Sequence, residues 1–231
     1  AGRVGATFVE SVRRQTQGVK SVGVTLSGGL DSRCIVAAGT QLGVPLQTFT
    51  WGKKGSTDRL YASRVASAFG TTHHDCDYEF ENFERRFEDA GRITEGFFNL
   101  LDAHMLAHLH IMKGRANVVL NGYAGDLVLG GSYLRTAWMQ EIPADELARR
   151  MFAWRNVLVP EQELSSVMPC SDKLDRTQLP SARYLELMGR ISGIATPDVI
   201  DRFFLENRVR RHTSMGTVLM RSVVESAACF F

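Results

Sequence analysis

Six consecutive residues, Ser27-Gly28-Gly29-Leu30-Asp31-Ser32, bring hydroxyl, glycine and carboxylate groups together in a segment short enough to surround one anion. They follow residues 21–26, a short apolar and β-branched stretch that predicts a buried strand. They lead into residues 31–42, whose apolar spacing predicts a helix. The two glycines allow a sharp turn and let phosphate oxygens approach the backbone, and the positive end of the helix dipole points at the same place. The segment therefore predicts a binding loop for pyrophosphate.

Asp31 is the unusual member of this loop, because its bare carboxylate would repel a phosphate group. A Mg²⁺ ion between the carboxylate and the phosphate removes the conflict. A Gly-Gly pair alone would indicate only a tight turn between a strand and a helix. The complete Ser-Gly-Gly-x-Asp-Ser pattern in this position favours nucleotide binding instead. The chain has neither the Gly-Lys-Ser/Thr of a Walker loop nor the Gly-x-Gly-x-x-Gly of a dinucleotide fingerprint.

Strand and helix patterns alternate between residues 18 and 131, which predicts an α/β fold with a doubly wound parallel sheet and helices on both faces. Beyond residue 131 the pattern predicts helices and no strand. We expect an N-terminal helix or linker at 1–17, an α/β core at 18–131 and a helical region at 132–231. The apolar stretch 227–231 is typical of a fragment of a longer polypeptide. The predicted strands are 21–26, 46–51, 71–78 and 117–121. The predicted helices are 4–17, 31–42, 58–69, one marked by Phe80, Phe83 and Phe87, 97–112, 145–154, 182–191 and 197–208.

Composition excludes several classes of protein. A net charge of +2 over 231 residues gives no basic field for nucleic acid. No apolar run reaches the ~18 residues of a membrane span, and the N-terminus lacks the layout of a signal peptide. The cysteines form no Cys-x-x-Cys pair, so we expect a reduced, cytoplasmic protein. These cysteines are Cys34, Cys76, Cys170 and Cys229.

Four segments of the sequence match one known family: VGVTLSGGLDS, LQTFTW, GTTHHD, and NGYAGD followed by Gly130-Gly131. Together they resemble the ATP-pyrophosphatase (PP-loop) domain of the asparagine synthetase family, whose core is Rossmann-like. The resemblance covers nearly the whole chain and is most specific in the first strand and loop. Weaker similarity to a later family segment is carried by Glu225, Phe230 and Phe231.

The resemblance implies an ATP-dependent carbon–nitrogen ligase. Such an enzyme forms an acyl-adenylate from a carboxylate and ATP, releases pyrophosphate and lets an amine displace AMP. Its cofactors would be ATP and Mg²⁺, and its partners would be a small-molecule carboxylate and amine. The chain begins at Ala1 rather than at a catalytic Cys, so we expect any glutaminase domain to lie outside these residues.

The resemblance also implies a role for each matching position. Backbone groups of Leu26 and Thr50 would hold adenine, Gly122 would lie near the ribose or the α-phosphate, and Asp31 with Asp126 would bind Mg²⁺. Two carboxylates at two strand ends agree with the usual ligand crevice of a parallel sheet. The phosphate-binding positions would be Ser27, Gly28, Gly29, Asp31 and Ser32.

The second loop departs from the family pattern, which commonly reads Gly-Glu-Gly-Ser-Asp-Glu. Here Tyr123 and Leu127 replace the two glutamates, and Asp126 is retained. β-Lactam and carbapenam synthetases have a tyrosine at the position of Tyr123, where it helps to deprotonate an internal amine. That role needs a partner to lower the pKa of a phenol, and Glu146 and Glu161 are candidates. The alternative is that Tyr123 is a packed aromatic residue in a glycine-rich turn.

Three functions therefore remain open. The first is asparagine-synthetase-like amide formation, and the second is a β-lactam-synthetase-like or peptide-macrocyclising ligase, which Tyr123 favours. The third is a nucleotide-binding remnant without catalysis. A basic cluster near the end of the helical region is either a solvated face or a lining of the phosphate side. It consists of Arg208, Arg210, Arg211 and His212.

Overall fold

A computed structural model of the chain describes two compact units. The first, an α/β unit, combines Ala1–Gly130 with Val209–Phe231, and the second, a helical unit, is Gly131–Arg208. The described residues are 2–77, 80–97, 105, 108–130, 133–155, 159–170, 173, 175, 179–191, 193–213 and 215–228.

The elements follow the predicted alternation through the α/β unit. The strands are β1 (Val22–Thr25), β2 (Leu46–Gly52), β3 (Thr72–Asp77), β4 (Val118–Asn121) and β5 (Glu225–Ala228). The helices are α1 (Gly2–Thr16), α2 (Leu30–Gln41), α3 (Thr57–Phe69), α4 (Phe80–Ile93), α5 (Ala144–Arg155), α6 (Leu164–Val167), α7 (Pro180–Gly189), α8 (Thr196–Phe204) and α9 (Met215–Arg221). Single 3₁₀ turns lie at Leu109–Ile111, Thr136–Trp138 and Glu161–Glu163, and π-helical turns at Asp126–Gly130 and Leu205–Thr213.

The strands form one sheet of five in the order β3-β2-β1-β4-β5. Every pairing is parallel, with Val22 of β1 opposite Leu46 of β2 on one side and Val118 of β4 on the other. The chain moves outward from β1 to β3 and then returns to build β4 and β5 on the far side of β1. The strand order therefore reverses between β1 and β4, where α/β proteins usually form their ligand crevice.

Side chains cover both faces of this sheet, as the apolar sequences of its central strands require. On one face Val22 and Val24 of β1 belong to a buried cluster with residues of α1, α2 and α3. On the other, Phe49 and Val119 lie in a second cluster, which includes Leu219 of α9. The Phe49 ring fills the space above Gly23, where a Cβ would lie 2.7 Å from its Cε2 atom. The predicted doubly wound fold is confirmed.

The fifth strand corrects the prediction that no strand follows residue 131. Glu225–Ala228 pairs in parallel with β4, with Glu225 opposite Val118 and Ala228 opposite Asn121. Its sequence, Glu-Ser-Ala-Ala, lacks the β-branched and aromatic residues that mark strands. Pairing with β4 overrides this local preference, so the sequence pattern missed the strand.

Two other predictions need adjustment. Most of the predicted helix at 97–112 lies outside the described residues, and within the described part residues 109–111 form a 3₁₀ turn. The second loop, a glycine-rich turn in the sequence, contains a π-helical turn at Asp126–Gly130. The sequence Asp-Leu-Val-Leu between the glycines is compatible with a helical turn, which the glycine content concealed.

In the helical unit, α5 and α7 pack against each other, and α7 also contacts α8. Trp138 and Trp154 pack edge to face with ring centres 5.1 Å apart. The Thr196 hydroxyl at the start of α8 accepts a hydrogen bond of 3.0 Å from the backbone N–H of Ile142. Among the described residues of both units, no helix has the length and apolarity needed to cross a bilayer.

Candidate active site

The loop between β1 and α2 is shaped by Gly28, whose φ of +73° lies in the left-handed region. A Cβ at this position would lie 2.5 Å from the Cβ of Tyr61 and 2.9 Å from the backbone nitrogen of Ala62. The loop therefore passes directly against the backbone of α3. Only glycine satisfies both the backbone angle and the close approach.

Hydroxyl groups inside the loop bond to the loop itself. The Ser27 and Ser32 hydroxyl oxygens are 3.4 Å apart, and the Gly29 backbone N–H donates to Ser27 Oγ at 3.2 Å. Ser32, which is buried, donates to the Gly29 carbonyl at 3.1 Å. These bonds hold both hydroxyls at the start of α2, where the helix dipole favours an anion.

The second loop meets the first at the point where the strand order reverses. A Cβ on Gly122, directly after β4, would lie 2.8 Å from the Asp31 Cβ and 3.3 Å from the Ser32 backbone nitrogen. The turn continues through Ala124, whose φ is +57°, and the Gly125 N–H donates to the Gly122 carbonyl at 3.2 Å. The structure thus brings Gly122 and the Ser27–Ser32 loop together.

Asp31 and Asp126 lie close enough for their charges to interact. The pKa of Asp31 is raised, first because partial burial disfavours its charge and second because the Asp126 carboxylate is near. The Asp126 backbone N–H donates to the Asp31 carboxylate and opposes part of this rise in pKa. A divalent cation would relieve this repulsion, and carboxylate oxygens are the ligands that Mg²⁺ prefers. The chemistry of the pair therefore suits a Mg²⁺ ion, and metal binding at Asp31 and Asp126 stays a prediction.

Leu26 and Thr50 lie side by side at the ends of neighbouring strands. The Leu26 N–H donates to the Phe49 carbonyl at 2.8 Å, and the Thr50 hydroxyl donates to the Leu26 carbonyl. The Leu26 carbonyl retains a second lone pair, because a carbonyl oxygen accepts two hydrogen bonds. Adenine recognition at these residues remains a prediction.

Tyr123 is held at both its backbone and its hydroxyl group. Its backbone N–H donates to Oδ1 of the buried Asn121 at 3.0 Å, and its hydroxyl donates to the Val209 carbonyl at 2.9 Å. Both bonds lie within the α/β unit. Tyr123 therefore has a fixed orientation directly after Gly122 in the second loop.

The carboxylates suggested as partners of Tyr123 make other bonds. Glu146 forms an ion pair with Arg150 along α5, and Glu161 accepts hydrogen bonds from the backbone and hydroxyl of Ser181. The Tyr123 hydroxyl donates to a main-chain carbonyl, and a role for either carboxylate stays a prediction. A main-chain acceptor leaves no side-chain signal in the sequence.

The sequence reasoning missed two residues at this edge of the sheet. Asn121 fixes the second loop through its bond to Tyr123, and its place at the end of β4 was the available signal. Arg59 makes ion pairs with Asp75 and Asp77 at the end of β3 and donates to the Gly52 carbonyl at 3.1 Å. These carboxylates raise the pKa of Arg59. Arg59 thus ties α3, which supports Gly28, to two neighbouring strand ends.

Comparison with known proteins places these features in a family. The family model described as asparagine synthase matches residues 3–188. Asparagine synthetase (glutamine-hydrolysing) of Gallus gallus is 36% identical over 160 residues, which cover 62% of this chain and 28% of the chicken protein. The nodule asparagine synthetase of Pisum sativum is 30% identical over 123 residues, 47% of this chain and 21% of the pea protein.

The chain thus spans less than a third of the length of these relatives. Among solved structures, NMN synthetase from Francisella tularensis aligns with a TM-score of 0.44 and 14% sequence identity. That alignment covers 90% of this chain and 95% of the other.

Proposed function

Because the chain belongs to the asparagine synthase family, we propose that it uses ATP to activate a carboxylate for amide-bond formation. The observation that carries the proposal is the meeting of the Ser27–Ser32 loop with Gly122 and the Asp31–Asp126 pair where the strand order reverses. This arrangement combines donors for phosphate with carboxylates for a metal ion. Such a combination suits the departure of pyrophosphate from ATP.

In the proposed reaction, a carboxylate oxygen attacks the α-phosphorus of ATP and pyrophosphate leaves. An amine then attacks the acyl carbon of the adenylate, loses a proton and displaces AMP. Backbone N–H groups and hydroxyls of Ser27–Ser32 bind the phosphates, and backbone groups of Leu26 and Thr50 bind adenine. Asp31 and Asp126 would hold a Mg²⁺ ion, which would supply positive charge beside the leaving pyrophosphate. The protein contributes mainly positioning and electrostatic stabilisation.

The partners proposed are a small-molecule carboxylate and an amine, with ammonia supplied by a glutaminase domain outside these residues. We also propose that the protein is cytoplasmic. A second candidate, a ligase that closes an amide within one molecule, is favoured by Tyr123, the residue directly after Gly122 in the second loop. In that case the substrate carries both the carboxylate and the amine.

The products of ATP turnover test this proposal. With labelled ATP, Mg²⁺, ammonium chloride and a panel of amino-acid carboxylates that includes aspartate and glutamate, we expect AMP and pyrophosphate in equal amounts. ADP and phosphate as the sole products would contradict an adenylate. ATP binding without any turnover of the panel would favour the non-catalytic remnant.

Nucleotide binding itself should depend on Asp31. ATP with Mg²⁺ at about 100 times its Kd should add roughly 2.7 kcal/mol to the free energy of unfolding. Asp31→Asn should lose most of this gain, because it removes a metal-binding charge. The pKa of Asp31 is raised in the folded state, so above that pKa its charge destabilises the fold. Without ATP, the variant should therefore be at least as stable as the wild type. Urea unfolding with and without ATP and Mg²⁺ measures both effects.

Asp58→Asn is the matched control, since Asp58 occupies the first turn of α3 as Asp31 occupies that of α2. It should keep the full response to ATP. If ATP stabilises Asp31→Asn as much as it stabilises Asp58→Asn, the assignment of Asp31 as a metal ligand is wrong. In every variant that binds ATP, EDTA should abolish the gain in stability, which would show that ATP binding requires a metal ion.

A further inference from the structure

Two arginines of the helical unit lie over the same aromatic ring. The guanidinium carbon of Arg155 is 4.8 Å from the ring centre of Tyr133, and that of Arg208 is 5.4 Å from it. Arg155 also lies 4.2 Å from the ring of Trp154 and 5.1 Å from that of Phe204. These five residues are called here the arginine–aromatic cluster. All of them belong to residues 131–208.

Aromatic packing fixes the frame of this cluster. The rings of Tyr133 and Phe204 stack with centres 4.0 Å apart. Phe204 is the last residue of α8, and Arg208 follows one turn later in the π-helical turn. Arg155 is the last residue of α5, where the negative end of the helix dipole favours a cation. Three separate segments therefore converge on one ring.

Positive charge in the cluster is left uncompensated by the described carboxylates. None of them forms an ion pair with Arg155 or Arg208, whereas Arg149 and Arg150 of the same helix pair with Asp145 and Glu146. The Nε atoms of Arg155 and Arg208 are buried without a hydrogen-bond partner. An unsatisfied buried N–H of a charged group is costly, so its presence in two neighbouring side chains calls for a ligand.

The two charges also repel each other. Burial lowers the pKa of Arg155 first, and the neighbouring Arg208 charge lowers that pKa further, whereas Tyr184 and a hydrogen bond with Tyr133 oppose part of this fall. Contacts with aromatic faces offset part of this cost but provide no counter-charge. An anion between the guanidinium groups would remove the repulsion and accept both free Nε–H donors. Both residues are only partly buried, so the cluster borders solvent although the two Nε atoms themselves are covered.

We propose that the arginine–aromatic cluster binds the carboxylate group of an organic small molecule, with Arg155 and Arg208 as donors to the carboxylate oxygens. The planar guanidinium fork matches the two oxygens of a carboxylate. The rings of Tyr133, Trp154 and Phe204 offer an apolar surface for the rest of the molecule, which inorganic phosphate cannot use. All five residues of the cluster belong to the helical unit, so binding there does not require the proposed amide chemistry.

Titration with small anions at constant ionic strength tests the site. Cyclohexanecarboxylate has both a carboxylate and an apolar ring, whereas acetate has the carboxylate without the ring. Inorganic phosphate and chloride serve as comparison anions. Calorimetry or Trp fluorescence should show saturable binding of cyclohexanecarboxylate that is tighter than that of acetate or phosphate. Arg155→Gln and Arg208→Gln should each weaken this binding by about tenfold or more, because each removes charge-assisted hydrogen bonds.

Arg149→Gln is the matched control, since it removes an exposed arginine of the same helix, and it should bind as the wild type does. Arg155→Lys keeps the charge but loses the planar fork, so its affinity should fall between those of the wild type and Arg155→Gln. Equal binding by wild type and Arg155→Gln would overturn the proposal. Preferential binding of phosphate, or no saturable binding beyond the effect of chloride, would also overturn it.

Phenylglyoxal labelling of the wild-type protein tests the same proposal without a variant. Cyclohexanecarboxylate should slow modification of Arg155 and Arg208, measured by mass spectrometry of peptides, and leave that of Arg149 unchanged. Equal protection of all three arginines, or of none, would contradict the site. This measurement decides the question even if a substitution prevents folding.

Discussion

Tyr123→Phe is expected to slow amide formation by about 10²–10⁴-fold while adenylate formation continues, if the phenol is the base that accepts a proton from the amine. In the structure its hydroxyl donates to the Val209 carbonyl at 2.9 Å. A base in this place must first give up that bond, because a carbonyl cannot hold a phenol that has lost its proton. ATP–pyrophosphate exchange measures the first half-reaction, and amide product measures the second.

The two half-reactions separate this role from a purely structural one. Phenylalanine keeps the ring and loses one hydrogen bond, so the free energy of unfolding should fall by only about 1 kcal/mol. If Tyr123 serves only to hold the segment at Val209, both half-reactions should slow together, or neither should. Amide formation at the wild-type rate in Tyr123→Phe would remove the support for the cyclising ligase.

Gly28→Ala is expected to lower the free energy of unfolding by about 2–4 kcal/mol, combining the strain of a left-handed φ with overpacking. The φ of Gly28 is +73°, and its added Cβ would lie 2.9 Å from the Ala62 backbone nitrogen. Neither the loop nor α3 can move aside by a simple change of side-chain rotamer. Urea denaturation measures the loss, and ATP binding should fall with it because the phosphate loop is displaced.

Two other glycines separate the causes of this effect. Gly70 has a φ of +65° with open space around its Cβ position, so Gly70→Ala measures strain alone, about 1 kcal/mol. At Gly29 the φ is −68° and a Cβ would meet only the Ser27 hydroxyl at 3.1 Å, so Gly29→Ala should cost less than about 1 kcal/mol. A loss in Gly28→Ala no larger than that in Gly70→Ala would show that α3 yields to the added methyl group.

The α/β part of the fold was predictable because its signals are local. The apolar strand before Ser27–Ser32, the two glycines and the helix after them lie within about twenty consecutive residues, and β-branched residues mark β1, β2 and β4. The fifth strand gives no such signal, because Glu225–Ala228 takes its extended form from pairing with β4. The π-helical turn after Asp126 was hidden by the glycines on either side of it.

Some residues of the candidate site could also be predicted from the sequence, and others could not. Asp31, Asp126 and Gly122 were assigned by motif, and their proximity follows from the parallel order of β1 and β4. The acceptor of the Tyr123 hydroxyl lies 86 residues further along the chain and is a backbone atom, so residue types carry no trace of it. Arg208 reads as part of a basic run, and only the fold brings it to Tyr133.

The helical unit occupies the connection between two neighbouring strands, since the chain leaves the α/β unit at Gly130 and returns at Val209. Closing a longer flexible connection between fixed ends is inexpensive, at about 0.6 kcal/mol for each doubling in length. This connection can therefore change in length or sequence while the Ser27–Ser32 loop and the sheet stay constant. A swap of residues 131–208 between homologues should accordingly preserve the five-stranded sheet and the Ser27–Ser32 loop.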